Sequence, residues 1–298
     1  MNGILPLWKE KGFTSHDCVS KARGMLKTKK IGHTGTLDPE VEGVLPLCIG
    51  KATKIVPFLT DTDKVYEAVV TLGSATETED AQGEVIETRP VQHPPAIEEI
   101  EQTIHQFKGE ITQIPPMYSA VKVNGKRLYQ YAREGIKVER PERNVSIKEI
   151  VLDKESVVFD GDSLNFKVMV TCSKGTYMRT LCVDIGKALG YPAHMSSLIR
   201  FSTSGISKEQ CYTFSQLQQL VDTRAIEEAL LPISEGLTHL NKMHISEDER
   251  FAFEHGQVLP RPKNAQHDPF VVICNKEVVA IYQQHPSKPD KIKPMRVF

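Results

Sequence analysis

Apolar residues recur along this chain with two periods, and the switch between them sorts it into strands and helices. Gly3–Leu7 and Val44–Ile49 are short, nearly continuous apolar runs, as buried strands are. Tyr66–Leu72 reads the same way and stops at Gly73, and Val145–Leu152 and Leu164–Cys172 are β-rich. The helical period predicts a helix behind Ser15, a capping residue type, with Val19, Ala22 and Leu26 on one face. It recurs through Ile97, Ile100, Ile104 and Phe107, across Arg127–Glu134, and over Thr176–Leu189, which Gly190 stops. Short helices are expected at Ile55–Leu59, where Pro57 must sit near the start, and at Phe214–Val221 and Ala225–Leu230. Tyr118–Val123 reads as a strand turned by Asn124-Gly125.

After about Gly236 the pattern changes. Ser246–His255 reads as one short helix, and Phe270–Cys274 with Val278–Tyr282 as a hairpin joined across Asn275-Lys276. Strands and helices interleave without regular βαβ spacing, so the expected class is α+β. The expected division is a domain over 1–236 and a small, mostly β module over 240–298.

Composition narrows the function. Apolar residues make up 40% of the chain and charged residues 25%, enough for a real core in a soluble protein. No apolar run reaches the length of a bilayer span, and Met1–Lys11 lacks the apolar centre of a signal peptide, so a cytoplasmic protein without membrane attachment is expected. Six scattered cysteines with no C-x-x-C pair fit reduced thiols. A net charge of −1 argues against a nucleic-acid partner until its distribution is examined. Cys18–Leu37 carries five basic residues and no acid, and Met117–Arg143 seven basic residues against three acids. Thr76–Glu110 gathers nine carboxylates. Basic charge collected into patches can bind a polyanion, although a solvated surface explains either block equally well.

The chemistry-bearing stretch is Gly32-His33-Thr34-Gly35-Thr36-Leu37-Asp38-Pro39, with Gly43-Val44-Leu45-Pro46-Leu47 behind it. Its glycines and the restriction that Pro39 places on Asp38 suit a shaped loop presenting one carboxylate. The same composition also marks an ordinary turn. Asp38 has three candidate companions: Tyr66, His33 and Arg179, the last in a helix start with Lys174 and Gly175 that favours anions. Tyr66 also fits a half-buried strand residue, His33 a loop-bracing donor and Arg179 a surface arginine. Histidine and cysteine spacing gives no metal site, and neither a P-loop nor a dinucleotide fingerprint is present. Any chemistry must therefore use one carboxylate, with no cofactor and no metal.

At Gly32–Leu47, Lys64–Gly73, Gln113–Gly135 (containing Ile114-Pro115-Pro116-Met117-Tyr118-Ser119-Ala120) and Cys172–Gly190, the chain resembles bacterial TruB-type tRNA pseudouridine synthases. The resemblance implies the pseudouridine-synthase fold, a central mixed, mostly antiparallel sheet flanked by helices, with a C-terminal PUA-like RNA-binding module. It implies isomerisation of uridine 55 in the tRNA T loop by base flipping, without cofactor. Asp38 matches the catalytic aspartate, Arg179 its paired arginine and Tyr66 the tyrosine stacked on the target base. His33 matches a residue that contacts the T loop, Tyr177 and Leu198 line the uridine pocket, and Lys64 falls among the substrate-binding positions. The implied partner is tRNA, through its T-arm and, by the C-terminal module, its acceptor stem; a monomer needing no protein partner is expected. The family's opening Asp-Lys-Pro-x-Gly-x-Thr-Ser stands here as Trp8-Lys9-Glu10-Lys11-Gly12-Phe13-Thr14-Ser15, which bears on the geometry of the first strand. Three other readings stay open. They are a tRNA-binding chaperone with secondary catalysis, a guide-dependent dyskerin-like synthase, and a metal-free glycosidase or phosphotransferase taking a second carboxylate from Asp80 or Glu79.

Overall fold

The structure is a computed structural model that describes residues 1–262 and 268–298. The chain opens with β1 (Gly3–Lys9), α1 (Ser15–Leu26), β2 (Ile31–His33), β3 (Glu42–Ile49) and α2 (Val56–Thr60). Next come β4 (Lys64–Leu72), β5 (Ser74–Thr76), β6 (Val85–Thr88), α3 (Ile97–His105), β7 (Gly109–Gln113), β8 (Lys122–Val123), β9 (Lys126–Arg127) and α4 (Leu128–Arg133). Strand β10 (Arg143–Phe159) leads to β11 (Leu164–Cys172), α5 (Met178–Ala188), β12 (Ala193–Thr203) and β13 (Ile206–Ser207). The remainder is α6 (Phe214–Asp222), β14 (Asn241–His244), α7 (Glu247–Glu254), β15 (Leu259–Pro260), β16 (Phe270–Cys274), β17 (Glu277–His285) and β18 (Lys288–Val297).

These elements form two compact units. The first comprises Met1–Pro39, Val44–Thr62 and Ser204–Phe298; the second comprises Glu40–Gly43 and Asp63–Thr203. In the second unit the strand order is β12-β4-β11-β10-β7, antiparallel throughout. Where β12 meets the start of β3 the pairing is parallel, Ile199 with Glu42 and Arg200 with Gly43, so the sheet is mixed as expected. Strand β11 alternates strictly and β4 does so up to Val70, burying Tyr66, Ala68 and Val70 opposite Val170, Val168 and Phe166. Helix α5 packs on β4 and β12, and α3 on β10.

In the first unit Leu5, Leu7, Leu45 and Leu47 are fully buried with Val19, Ala22 and Leu26 of α1 and Phe214 and Leu217 of α6. Each such leucine contributes about 1.5–3 kcal/mol by burial, which makes a stiff frame of β1 and β3. The C-terminal sheet, in order β14-β16-β17-β18-β15, uses both faces of β16. Phe270, Val272 and Cys274 pack with Phe253 and Tyr282, whereas Val271 and Ile273 share a cluster with Ile4, Val44 and Cys48.

Several expected elements shift. Thr14, not Ser15, caps α1: its hydroxyl accepts from Asp17 N–H at 3.0 Å and Asp17 Oδ2 accepts from Thr14 N–H at 2.9 Å. The loop expected from Gly32 begins in β2, because Ile31, Gly32 and His33 pair with Ile49, Cys48 and Leu47. The strand expected over Tyr118–Val123 shrinks to Lys122–Val123. The Ser119 and Val121 carbonyls accept from Tyr129 and Leu128 at the start of α4 instead of from a strand. Ala225–Leu230 forms only a 3₁₀ turn, Ile226–Ala229. Strand β12 escapes sequence reading because register shifts at Met195/Ser197 and Arg200/Ser202 break its alternation.

Candidate active site

The loop carrying Asp38 is held by its backbone. Past β2, Thr34 N–H reaches Pro46 O at 3.3 Å and His33 Nδ1–H donates to Gly35 O at 3.1 Å, the bracing role open to this histidine. Ser15, freed from capping, turns its hydroxyl onto Leu37, accepting from Leu37 N–H at 2.9 Å and donating to Leu37 O at 3.3 Å. Pro39 O accepts from Gly12 N–H at 2.9 Å and from the buried Lys9 ammonium at 3.0 Å. Both neighbours of Asp38 are thereby fixed while Asp38 itself stays exposed. The altered opening motif leaves β1 intact through Lys9, and Trp8 lies under the Lys208 ammonium at 5.0 Å. Gly43, the next glycine of the motif, has φ +130°, and a Cβ there would fall 2.3 Å from Arg200 O. Only glycine lets β3 approach β12 so closely.

The other candidates belong to the second unit. Lys64, Tyr66 and Ala68 occupy one face of β4; the residues opposite on β12 are Thr203, Arg200 and Leu198. Lys64, Tyr66, Leu198 and Arg179 are all buried, yet none is wholly closed off, at 7 to 9% exposure. Arg179 sits in the first turn of α5. Its guanidinium donates to Thr78 O at 3.0 Å and to Tyr118 O at 2.8 Å, and pairs with Asp80 Oδ2 at 3.4 Å. Asp80 is itself oriented by Thr78 Oγ1 (2.6 Å) and Gln82 N–H (3.0 Å). Such a buried charge-assisted network fixes both partners.

Glu79 has a left-handed backbone, φ +64°, held by Met195 N–H on its carbonyl at 3.0 Å. Its carboxyl accepts from Thr180 Oγ1 at 3.0 Å and lies 3.8 Å from Arg140. Burial raises the Glu79 pKa against the pull of Thr180 and Arg179. The two acids that a hydrolase could have recruited, Asp80 and Glu79, are thus engaged with Arg179 and Thr180.

Tyr177 is the half-buried N-cap residue of α5, and its own side chain makes no cap bond. Gln113, 1% exposed, meets the Tyr177 backbone with both ends of its amide: Tyr177 N–H donates to Oε1 at 2.9 Å and Nε2 donates to Tyr177 O at 3.2 Å. Sequence reading missed Gln113, Ser15 as a loop anchor and the Arg179–Asp80 pair. The only available signals were their places beside Ile114-Pro115-Pro116, Thr14 and the acidic block.

The basic segments divide by role. Lys21 stacks over Phe13 and Phe214 at 4.7 and 4.4 Å, and Arg23 donates to Ile31 O at 3.1 Å, so both serve the fold. Lys27, Lys29 and Lys30 are exposed. In the second segment Arg127 and Arg133 flank the Tyr129 ring at 6.0 and 5.5 Å. Among the described residues no helix is long and apolar enough to cross a membrane.

The chain is similar to known proteins along its whole length. Residues 23–178 match the family described as TruB family pseudouridylate synthase (N terminal domain), and residues 179–238 the tRNA pseudouridylate synthase B C-terminal domain. The chain is 55% identical over 300 residues to the tRNA pseudouridine synthase B of Oceanobacillus iheyensis, covering 100% of this chain and 98% of that protein. It is 49% identical over 303 residues to the protein of that name from Bacillus subtilis, with the same coverage. Among solved structures, a Cbf5-Nop10-Gar1 complex contains a chain that matches with TM-score 0.72 and 28% identity, over 99% of this chain and 83% of that one.

Proposed function

Since the chain belongs to the TruB family of pseudouridylate synthases, we propose that it converts uridine 55 of the tRNA T loop into pseudouridine with Asp38 as its catalytic carboxylate. The carrying observation is that Asp38 is exposed between two backbone-anchored residues, Leu37 and Pro39, in the loop the family motif occupies.

The reaction breaks the N1–C1′ bond, turns the uracil and joins C5 to C1′. The proton leaves C5, N1 takes one up, and nothing is oxidised or reduced. One carboxylate suffices to attack or to stabilise the electron-poor centre formed as the bond breaks. Arg179, steadied by Asp80, Thr78 and Tyr118, would in this reading orient that carboxylate. A base stacked in the T loop must first be flipped out, at a cost of a few kcal/mol. Tyr66 would stack on it, Leu198 and Tyr177 would enclose it, Lys64 would hold its polar edge, and His33 would meet the T loop. Lys27, Lys29, Lys30, Arg127 and Arg133 would meet phosphates, which makes affinity fall steeply with salt. Residues 240–298 act in this reading as the RNA-binding module on the acceptor stem. In this reading the protein works as a cytoplasmic monomer without guide RNA; its near-full-length likeness to proteins named tRNA pseudouridine synthase B supports tRNA as the substrate.

The test is the purified protein on an unmodified tRNA transcript. Pseudouridine should form at position 55 alone, and Asp38→Asn should abolish it while tRNA binding changes less than about threefold. Turnover by Asp38→Asn would remove Asp38 from the mechanism; a requirement for added guide RNA would replace the stand-alone reading with the guide-dependent one.

A further inference from the structure

We infer that Gln113 is a positioning residue for the reaction, setting Tyr177 through its backbone and with it the start of the helix that carries Arg179; this rests on the roles proposed for those two residues. Helix α5 starts after Gly175, whose φ is +88°, and its N-cap residue Tyr177 makes no side-chain cap bond. Uncapped helix starts can shift or fray, because their first N–H groups lack intrahelical partners. Here the amide of Gln113, from a strand 64 residues earlier, closes two hydrogen bonds on a single residue, Tyr177. An amide that donates to the carbonyl and accepts from the N–H of one residue fixes position and direction together, as a strand partner would.

The same strap makes a second attachment. Residues 113–118 begin at Gln113 and end at Tyr118, whose carbonyl accepts from Arg179 at 2.8 Å. Midway, Pro115 O accepts from Arg140 at 3.0 Å, and the paired prolines 115 and 116 stiffen the segment. Gln113 and Tyr118 therefore grip Tyr177 and Arg179 from one short, restricted piece of chain. Gln113 is 1% exposed and spends both ends of its amide on the Tyr177 backbone, so it acts through the residues it holds. A displacement of about 1 Å in a reacting site can cost on the order of 100-fold in rate.

The test compares Gln113→Met, which fills the same space without either hydrogen bond, with wild type on a saturating tRNA transcript. The expected result is a kcat lower by about 10- to 100-fold with KM within about threefold. Combined with Arg179→Lys, the two losses should fall well short of multiplying, because both variants disturb one unit. Wild-type kcat in Gln113→Met, a loss confined to KM, or fully multiplicative losses would overturn the inference. Should Gln113→Met fail to fold, Gln113→Glu, which keeps the acceptor for Tyr177 N–H and loses the donor, is read by the same criteria. Asp38→Asn run alongside separates the two levels. An active Asp38→Asn removes the reading of the site, whereas an inert Asp38→Asn beside a fully active Gln113→Met removes only the role of Gln113.

Discussion

Asp38 and Arg179 are held in opposite ways. Asp38 is exposed, and its support is backbone: Leu37 on the Ser15 hydroxyl, Pro39 on Gly12 and Lys9. Arg179 is buried, and its own guanidinium is spread over two carbonyls and a carboxylate. A carboxylate proposed to react needs a fixed mount and access to its substrate. A guanidinium that must stay charged in a low-dielectric site needs its donors satisfied. Mutations should therefore act on the first through its mount and on the second through its fork.

The contrast is sharpest in Asp38→Asn, which leaves the mount untouched and removes only the charge. It should cut turnover more than about 1,000-fold with unchanged thermal unfolding, a loss typical of removing a covalent or charge-stabilising catalyst. A much smaller loss would mean that the loop, not the carboxylate, does the chemistry. Arg179→Lys tests the fork. Lysine keeps the charge but cannot serve Thr78 O, Tyr118 O and Asp80 together, so kcat should fall about 100-fold and stability by about 1–3 kcal/mol. Calorimetry showing no loss of stability would break the claim that Arg179 is a structural hub.

Ser15→Ala tests the mount alone. Leu37 N–H loses its acceptor in a buried setting, which should cost about 1–2 kcal/mol and lower kcat by roughly tenfold, with KM little changed. Full activity in this variant would show that Pro39 suffices to place Asp38. The smallest effect concerns Glu79. Burial raises its folded pKa above the ordinary 4.5, so the folded state holds its proton longer than the unfolded chain does. Stability contributed by this group is present below pH 4.5 and is lost as pH rises through the raised value. The melting temperature of Glu79→Gln should gain on wild type as the pH is raised from about 4 to 7; a constant difference would refute burial as the dominant influence on Glu79.

Legibility followed the range of the interactions. The frame of β1, β3, β4 and β11 and the helices α1, α3 and α5 could be read from periodicity, since each buries one face of a regular element. The loop at Asp38 could be read because Gly32, Gly35 and Gly43 admit unusual backbone conformations and Pro39 restricts Asp38, both local effects. Strand β12 could not, because two register shifts break the alternation that marks a strand. Ser15 was misread as a cap, since a serine before an apolar period fits that role, and Thr14 took it one residue earlier with Asp17 at the right spacing.

By itself the sequence determined the α+β class, the family motifs, the glycine- and proline-shaped loop that carries Asp38, and basic charge gathered into segments. Those are local properties: a backbone restriction, a period or a run of charge needs only neighbours along the chain. Tertiary structure alone decided that Arg179 answers to Thr78, Asp80 and Tyr118, that Glu79 holds Thr180, and that Gln113 clamps Tyr177. Each of these contacts joins residues more than 60 positions apart. Hydrogen bonds of that kind leave no periodic trace, because a polar side chain chooses its partner by distance and angle in the folded molecule.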